Sequence, residues 1–140
     1  MDIVQAFNNA FKRKKEKKWE KIYVLVDIHD TIFPACYNKK ENYHFYPYAE
    51  EVLQQLSQRN DVCLILWSSS FHSTLKRYCA VFERHNIHFN YINENPEVNN
   101  TDFQDFSQKL YFNVGIDDKF GFCPEEDWET ILTYLNVSSI

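Results

Sequence analysis

The strongest constraint on this chain is that two sequence periods alternate along it. Short, β-branched, almost unbroken apolar runs stand at Lys21–Asp27 (KIYVLVD), Val62–Trp67 (VCLILW) and Leu110–Ile116 (LYFNVGI), with a weaker one at His88–Ile92. A run without polar alternation suits a strand covered on both faces. Between these runs the apolar residues fall at helical spacing. Ala49, Val52, Leu53 and Leu56 follow Pro47, with Glu50 and Glu51 near the positive end of the implied helix. Leu75, Tyr78, Cys79 and Phe82 form a second stripe behind Ser68–Ser70, which suit a helix cap, and Trp128, Ile131, Leu132 and Leu135 form a third that starts near Pro124. Strands alternating with helices predict a parallel sheet joined by right-handed crossovers. The expectation is one α/β domain, Rossmann-like, with a mostly parallel sheet of about four or five strands and helices on both faces. The segment Asn93–Lys109 is polar and carries no clear period.

A chain of 140 residues fits a single domain. Only 2 glycines are present, which excludes a glycine-rich phosphate loop of the GxxxxGK[ST] or GxGxxG type. The apolar runs are too short to cross a bilayer. The N-terminus has no signal-type apolar core and the four cysteines form no CxxC pair, so a reduced, cytoplasmic protein without a structural zinc is expected, with no membrane partner. The net charge of −5 is unevenly spread. Seven of the 15 basic side chains lie in residues 12–21, and acidic groups dominate the remainder. Ile3, Val4, Phe7 and Phe11 share one helical face just before the basic stretch. Residues 1–20 are therefore read as a basic amphipathic leading helix, docked and solvated at its far end, ahead of the main domain at 21–140. Nucleic-acid binding through residues 12–21 is the less favoured reading. The aromatic residues Phe33, Tyr37, Tyr43, Phe45, Tyr46 and Tyr48 are read as core cover rather than as a flap that stacks a base.

In an open parallel sheet, ligands bind beyond the carboxyl ends of the strands, at the point where strand order reverses. The first apolar run ends in Asp27-Ile28-His29-Asp30-Thr31, the second in Ser68-Ser69-Ser70, and the last in Asp117-Asp118, with Lys109 just ahead of it. Carboxylates gathered at one edge repel unless a cation joins them, and an all-oxygen set suits Mg²⁺. A helix N-terminus and a lysine suit an anion. A metal, an anion site and a free carboxylate are together what phosphoryl transfer through an aspartyl-phosphate requires.

DIHDT, then Ser68 after an apolar strand, then Lys109, then IDD resemble in order the four motifs of the haloacid dehalogenase (HAD) superfamily, over roughly residues 21–135. The stretches LILWSSS and QKLYFNVGIDDKFGF also look like small capless members from bacteria and phages. The resemblance implies a Mg²⁺-dependent phosphatase acting on a phosphomonoester. It implies Asp27 as nucleophile and metal ligand, the backbone carbonyl of His29 as a second ligand, and Asp117 and Asp118 as the others. It implies Ser68, with Ser69, and Lys109 as phosphate contacts. No large cap fits into Thr31–Tyr46 or Asn93–Gln108. The substrate is therefore expected to be a small phosphate ester or the phosphorylated end of a macromolecule.

The family pattern reads Asp-x-Asp-Gly-Thr. Here His29 stands where the second aspartate, the acid/base, is usual, and Asp30 stands at the glycine. Histidine can donate a proton to a leaving group and then take one from water. The favoured reading makes His29 the acid/base; the alternative is a catalytically weak HAD-fold module that binds phosphate or a partner. Asp-x-His also opens the two-metal phosphoesterase pattern, but its GD and GNH[DE] elements are missing.

Overall fold

The structure is a computed structural model and describes residues 2–35 and 41–138; Cys36 and Tyr37 of the aromatic stretch lie outside the described residues. The elements, in order, are α1 (Ile3–Lys17), β1 (Ile22–Val26), α2 (Ala49–Gln58), β2 (Val62–Leu66), α3 (His72–Arg84), β3 (Tyr91–Ile92), β4 (Val114–Ile116) and α4 (Asp127–Val137). The four strands form a parallel sheet in the order β3-β2-β1-β4. Val26 pairs with Leu66 on one side and with Ile116 on the other, so β1, β2 and β4 end level with one another. The chain moves outward from β1 through β2 to β3 and then returns to the opposite side of β1. Strand order therefore reverses between β1 and β4.

The sequence pattern explains the core. Ile22, Val24 and Val26 of β1, Val62, Leu64 and Leu66 of β2, and Val114 and Ile116 of β4 point to one face. That face meets the buried stripes of all four helices in one cluster: Ile3, Phe7 and Phe11 of α1, Val52 and Leu56 of α2, Leu75 and Phe82 of α3, Trp128 and Ile131 of α4. The other face, with Leu25, Cys63 and Ile65 buried, packs instead against Tyr23, Trp67, Tyr91, Leu110 and Phe112. The helices thus lie on one face, not on both as the alternation suggested. The second face is covered by the crossover from β3 to β4, which contains no helix. Glu97 fastens this crossover. Its carboxylate accepts from Tyr91 Oη at 2.6 Å and from Tyr23 Oη at 3.3 Å, and pairs with Lys21 Nζ at 2.9 Å.

Two strands are shorter than their apolar runs. At the start of β4 the Asn113 side chain takes the place of a backbone partner: its Oδ1 accepts from Tyr23 N–H at 2.8 Å, while Asn113 N–H donates to Tyr23 O at 2.8 Å. Asn90 does the same before β3, accepting from Leu64 N–H at 2.9 Å and donating its own N–H to Leu64 O at 2.9 Å. Helix α2 begins two residues after Pro47, behind Tyr48 at φ 68°. Helix α3 is preceded by Phe71 and has no side-chain cap, so the serines do not cap it. Helix α1 is capped by Asp2, whose carboxylate accepts from Val4 and Gln5 N–H, and it ends in Lys14, Lys15 and Lys17, where the helix dipole favours cations. Lys14 also pairs with Asp61 at 3.5 Å. The basic stretch is the exposed end of a docked helix. Phe33, fully buried, stacks on Phe82 at 5.6 Å and packs on Phe45 at 4.8 Å, so Phe33, Phe45 and Tyr46 pack with the core, whereas Tyr43 and Tyr48 are exposed.

Candidate functional site

The site grows from the last residues of β1 and β4. Asp27 N–H donates to Ile116 O at 2.9 Å, carrying the ladder one step past the strand. The chain then turns sharply, and the N–H groups of Thr31, Ile32 and Phe33 all converge on Ile28 O at 2.8–3.3 Å. Asp30 sits in this turn at φ 58°, a left-handed conformation that aspartate and asparagine tolerate better than most residues. Its side chain holds the turn by accepting from Ala35 N–H at 2.9 Å. Glycine would take this positive φ more readily, and Asp30 takes it while adding a hydrogen bond of its own.

Thr31 joins the two strand ends. It is fully buried, lies 3.1 Å from Asp27 Oδ2, and its Oγ1 accepts from Asp118 N–H at 3.1 Å. Its carbonyl accepts from the Trp128 indole N–H at 2.8 Å, which ties the turn to α4. Beyond β4, Asp117 is 7% exposed and accepts from Lys119 N–H at 2.9 Å at the head of a single 3₁₀ turn, Asp118–Phe120.

Asp27, Asp117 and Asp118 each bring a carboxylate oxygen to within 4.8 Å of the others. Burial pushes the Asp27 carboxyl up to about 7, helped by the Asp117 and Asp118 charges and opposed by hydrogen bonds from Thr31 and the Ile28 N–H. Asp117 is also raised, first by burial and then by Asp118, against the pull of the Lys119 N–H. No basic side chain pairs with any of the three among the described residues. Buried and half-buried carboxylates that repel one another form a donor set that fits a hard divalent cation.

The other expected residues are placed differently. His29 follows Asp27 on the turn, and its Nε2 lies 3.1 Å from the Tyr78 hydroxyl on α3. Ser68 lies just past β2, whose end is level with that of β1, and its hydroxyl bonds Ser70 Oγ at 3.1 Å. Ser69 is exposed. Lys109 is exposed on the crossover, where it lines a cavity of about 380 Å³ with Phe106, Tyr111 and Phe112, and it forms no ion pair among the described residues. The geometry therefore brings three aspartates together, and Lys109 forms no ion pair with them among the described residues. Two residues gain a part that their sequence context did not reveal. Tyr78 looked like one more apolar position on a helix stripe. Asn93 clamps the ends of β2 and β3, accepting from Ser68 N–H at 2.8 Å and donating Nδ2–H to Ser68 O at 2.7 Å. It adopts a left-handed φ of 56°, common for asparagine, and the run Asn93-Glu94-Asn95-Pro96 is the sequence signal for a turn there.

No helix among the described residues is long and apolar enough to cross a membrane. No protein-family model and no curated protein matches the chain. A solved structure of a conserved protein coded by a locus of Bacteroides thetaiotaomicron is similar, at 28% sequence identity and a TM-score of 0.64, over 83% of this chain and 90% of that one. The α/β fold with a parallel sheet and no large cap agrees with that likeness.

Proposed function

We propose that the chain is a Mg²⁺-dependent phosphatase of HAD type that hydrolyses a phosphomonoester through an aspartyl-phosphate. The observation that carries this reading is the cluster of Asp27, Asp117 and Asp118 at the strand-order reversal, with no ion-paired cationic side chain among the described residues. Asp117 and Asp118, with Asp27, would hold the cation, which when bound offsets the charge of carboxylates and phosphate together. Asp27 attacks phosphorus while the ester oxygen departs with a proton from His29. A water then gives a proton to His29 and attacks the aspartyl-phosphate, which frees phosphate and restores the Asp27 carboxylate. Ser68 and Ser69 at the neighbouring strand end, and Lys109 from the crossover, would contact the phosphoryl oxygens. With no large cap over this edge, a small ester or the phosphorylated end of a macromolecule has access. The buried or half-buried free thiols Cys63, Cys79 and Cys123 support a reducing, cytoplasmic setting.

The test is phosphate release from a panel of phosphorylated metabolites and nucleotides, with and without Mg²⁺. Wild type should release phosphate only with the metal, and Asp27→Asn should lose activity by about a thousandfold or more. The second reading, a catalytically weak binding module, is favoured by the histidine at the acid/base position. It would prevail if wild type were as inert as Asp27→Asn while His29→Asp hydrolysed the same esters.

A further inference from the structure

We propose that Tyr78 is a positioning residue for His29: its hydroxyl accepts the Nε2 hydrogen, so that Nδ1 is the atom that exchanges the proton. The inference rests on the phosphatase reading above and goes one step further, assigning the orientation of the acid/base to a residue on α3.

Three observations carry it. Nε2 of His29 lies 3.1 Å from the Tyr78 hydroxyl, within ordinary hydrogen-bond distance. Nδ1 of the same ring has no hydrogen-bond partner among the described residues. Tyr78 itself is 1% exposed, its ring stacked on the buried Phe33 at 5.8 Å and edge-on to Tyr43 at 5.4 Å. The His29 ring meets it edge-on at 5.5 Å and 86°. The partner of Nε2 is therefore fixed by the core rather than by a mobile surface group. An imidazole with one nitrogen bound to a fixed hydroxyl has one nitrogen left for chemistry, and the bound one sets both tautomer and ring orientation.

The proton balance follows. In the first half-reaction the imidazolium gives its Nδ1 proton to the bridging ester oxygen as the phosphorus–oxygen bond breaks and the bond to Asp27 forms. In the second, Nδ1 takes a proton from water as the water oxygen bonds to phosphorus and the bond to Asp27 breaks. Nε2 keeps its hydrogen, donated to the Tyr78 hydroxyl, throughout. A carboxylate at position 29 would not need this support, because its oxygens are equivalent; a histidine does.

A buried tyrosine hydroxyl needs a partner in any core, so the test must separate positioning from packing. Tyr78→Phe keeps the ring and removes the hydroxyl. We compare kcat/KM for an alkyl phosphate, whose leaving alkoxide needs a proton, with that for p-nitrophenyl phosphate, whose leaving group departs as a stable anion. The variant should lose about tenfold or more on the alkyl ester and stay within about twofold on the aryl ester. In wild type, ¹⁵N NMR of His29 should show the neutral ring protonated at Nε2. Equal losses on both esters, no loss on either, or a neutral ring protonated at Nδ1 would overturn the positioning role and leave the phosphatase reading standing. A wild type inert on both esters would overturn the two together.

Discussion

Asp27 carries the clearest consequence at the scale of single residues. Its carboxyl is pushed up to about 7 in the folded chain, whereas in the unfolded chain it titrates near pH 4. Between those values the folded state binds the proton that the unfolded state has lost, so stability falls as pH rises. The contribution is fully present below about pH 4 and is lost as pH passes through about 7. Metal-free wild type should therefore show a falling unfolding midpoint between pH 5 and 8, and Asp27→Asn should flatten the slope and be the more stable protein at pH 8. Asp30 makes a different prediction. Its φ of 58° is costly for a β-branched side chain, so Asp30→Val should destabilise by about 1–2 kcal/mol, while Asp30→Asn stays within about 0.5 kcal/mol. Chemical denaturation of the two variants checks this, and a neutral Asp30→Val would mean the turn does not hold that conformation.

At the scale of elements, the leading helix belongs to the core although its C-terminal half is strongly basic. Phe7 is fully buried and stacks on Phe11 at 6.4 Å, and its ring also lies 6.5 Å from Tyr134 of α4. Phe7→Ala should cost about 3–5 kcal/mol, the range for a large aromatic removed from a packed core. Neutralising the exposed Lys12, Arg13 and Lys15 should change stability by less than about 0.5 kcal/mol. A helix that was merely an arm would reverse that order. The short strands β3 and β4 teach a related point. Asparagine side chains at 90 and 113 stand in for ladder partners, so an apolar run can be longer than the strand it feeds. The surplus residues Leu110 and Phe112 go to covering the second face of the sheet.

For the whole molecule, the sequence disclosed what depends on period and order, and concealed what depends on distant packing. Asp27, Asp117 and Asp118 were legible because each follows a β-branched run, and parallel strands place their carboxyl ends on one edge. The helices on one face were not legible, because an apolar stripe says that a helix is buried but not against which side of a sheet. Tyr78 was hidden within such a stripe, and Asn93 within a polar loop. Lys109 carried a motif position but lies on an irregular crossover whose path no periodicity constrains. Asp27, Asp117 and Asp118 share one edge, and the account depends on what that edge binds. The most direct measurement is the unfolding midpoint at pH 8, with and without millimolar Mg²⁺, of wild type and Asp117→Asn. A ligand at about a hundred times its dissociation constant stabilises the folded state by about 2.7 kcal/mol, so wild type should gain several degrees and Asp117→Asn almost none. An unmoved wild type, or the same gain in both proteins, would contradict a cation held by these three aspartates.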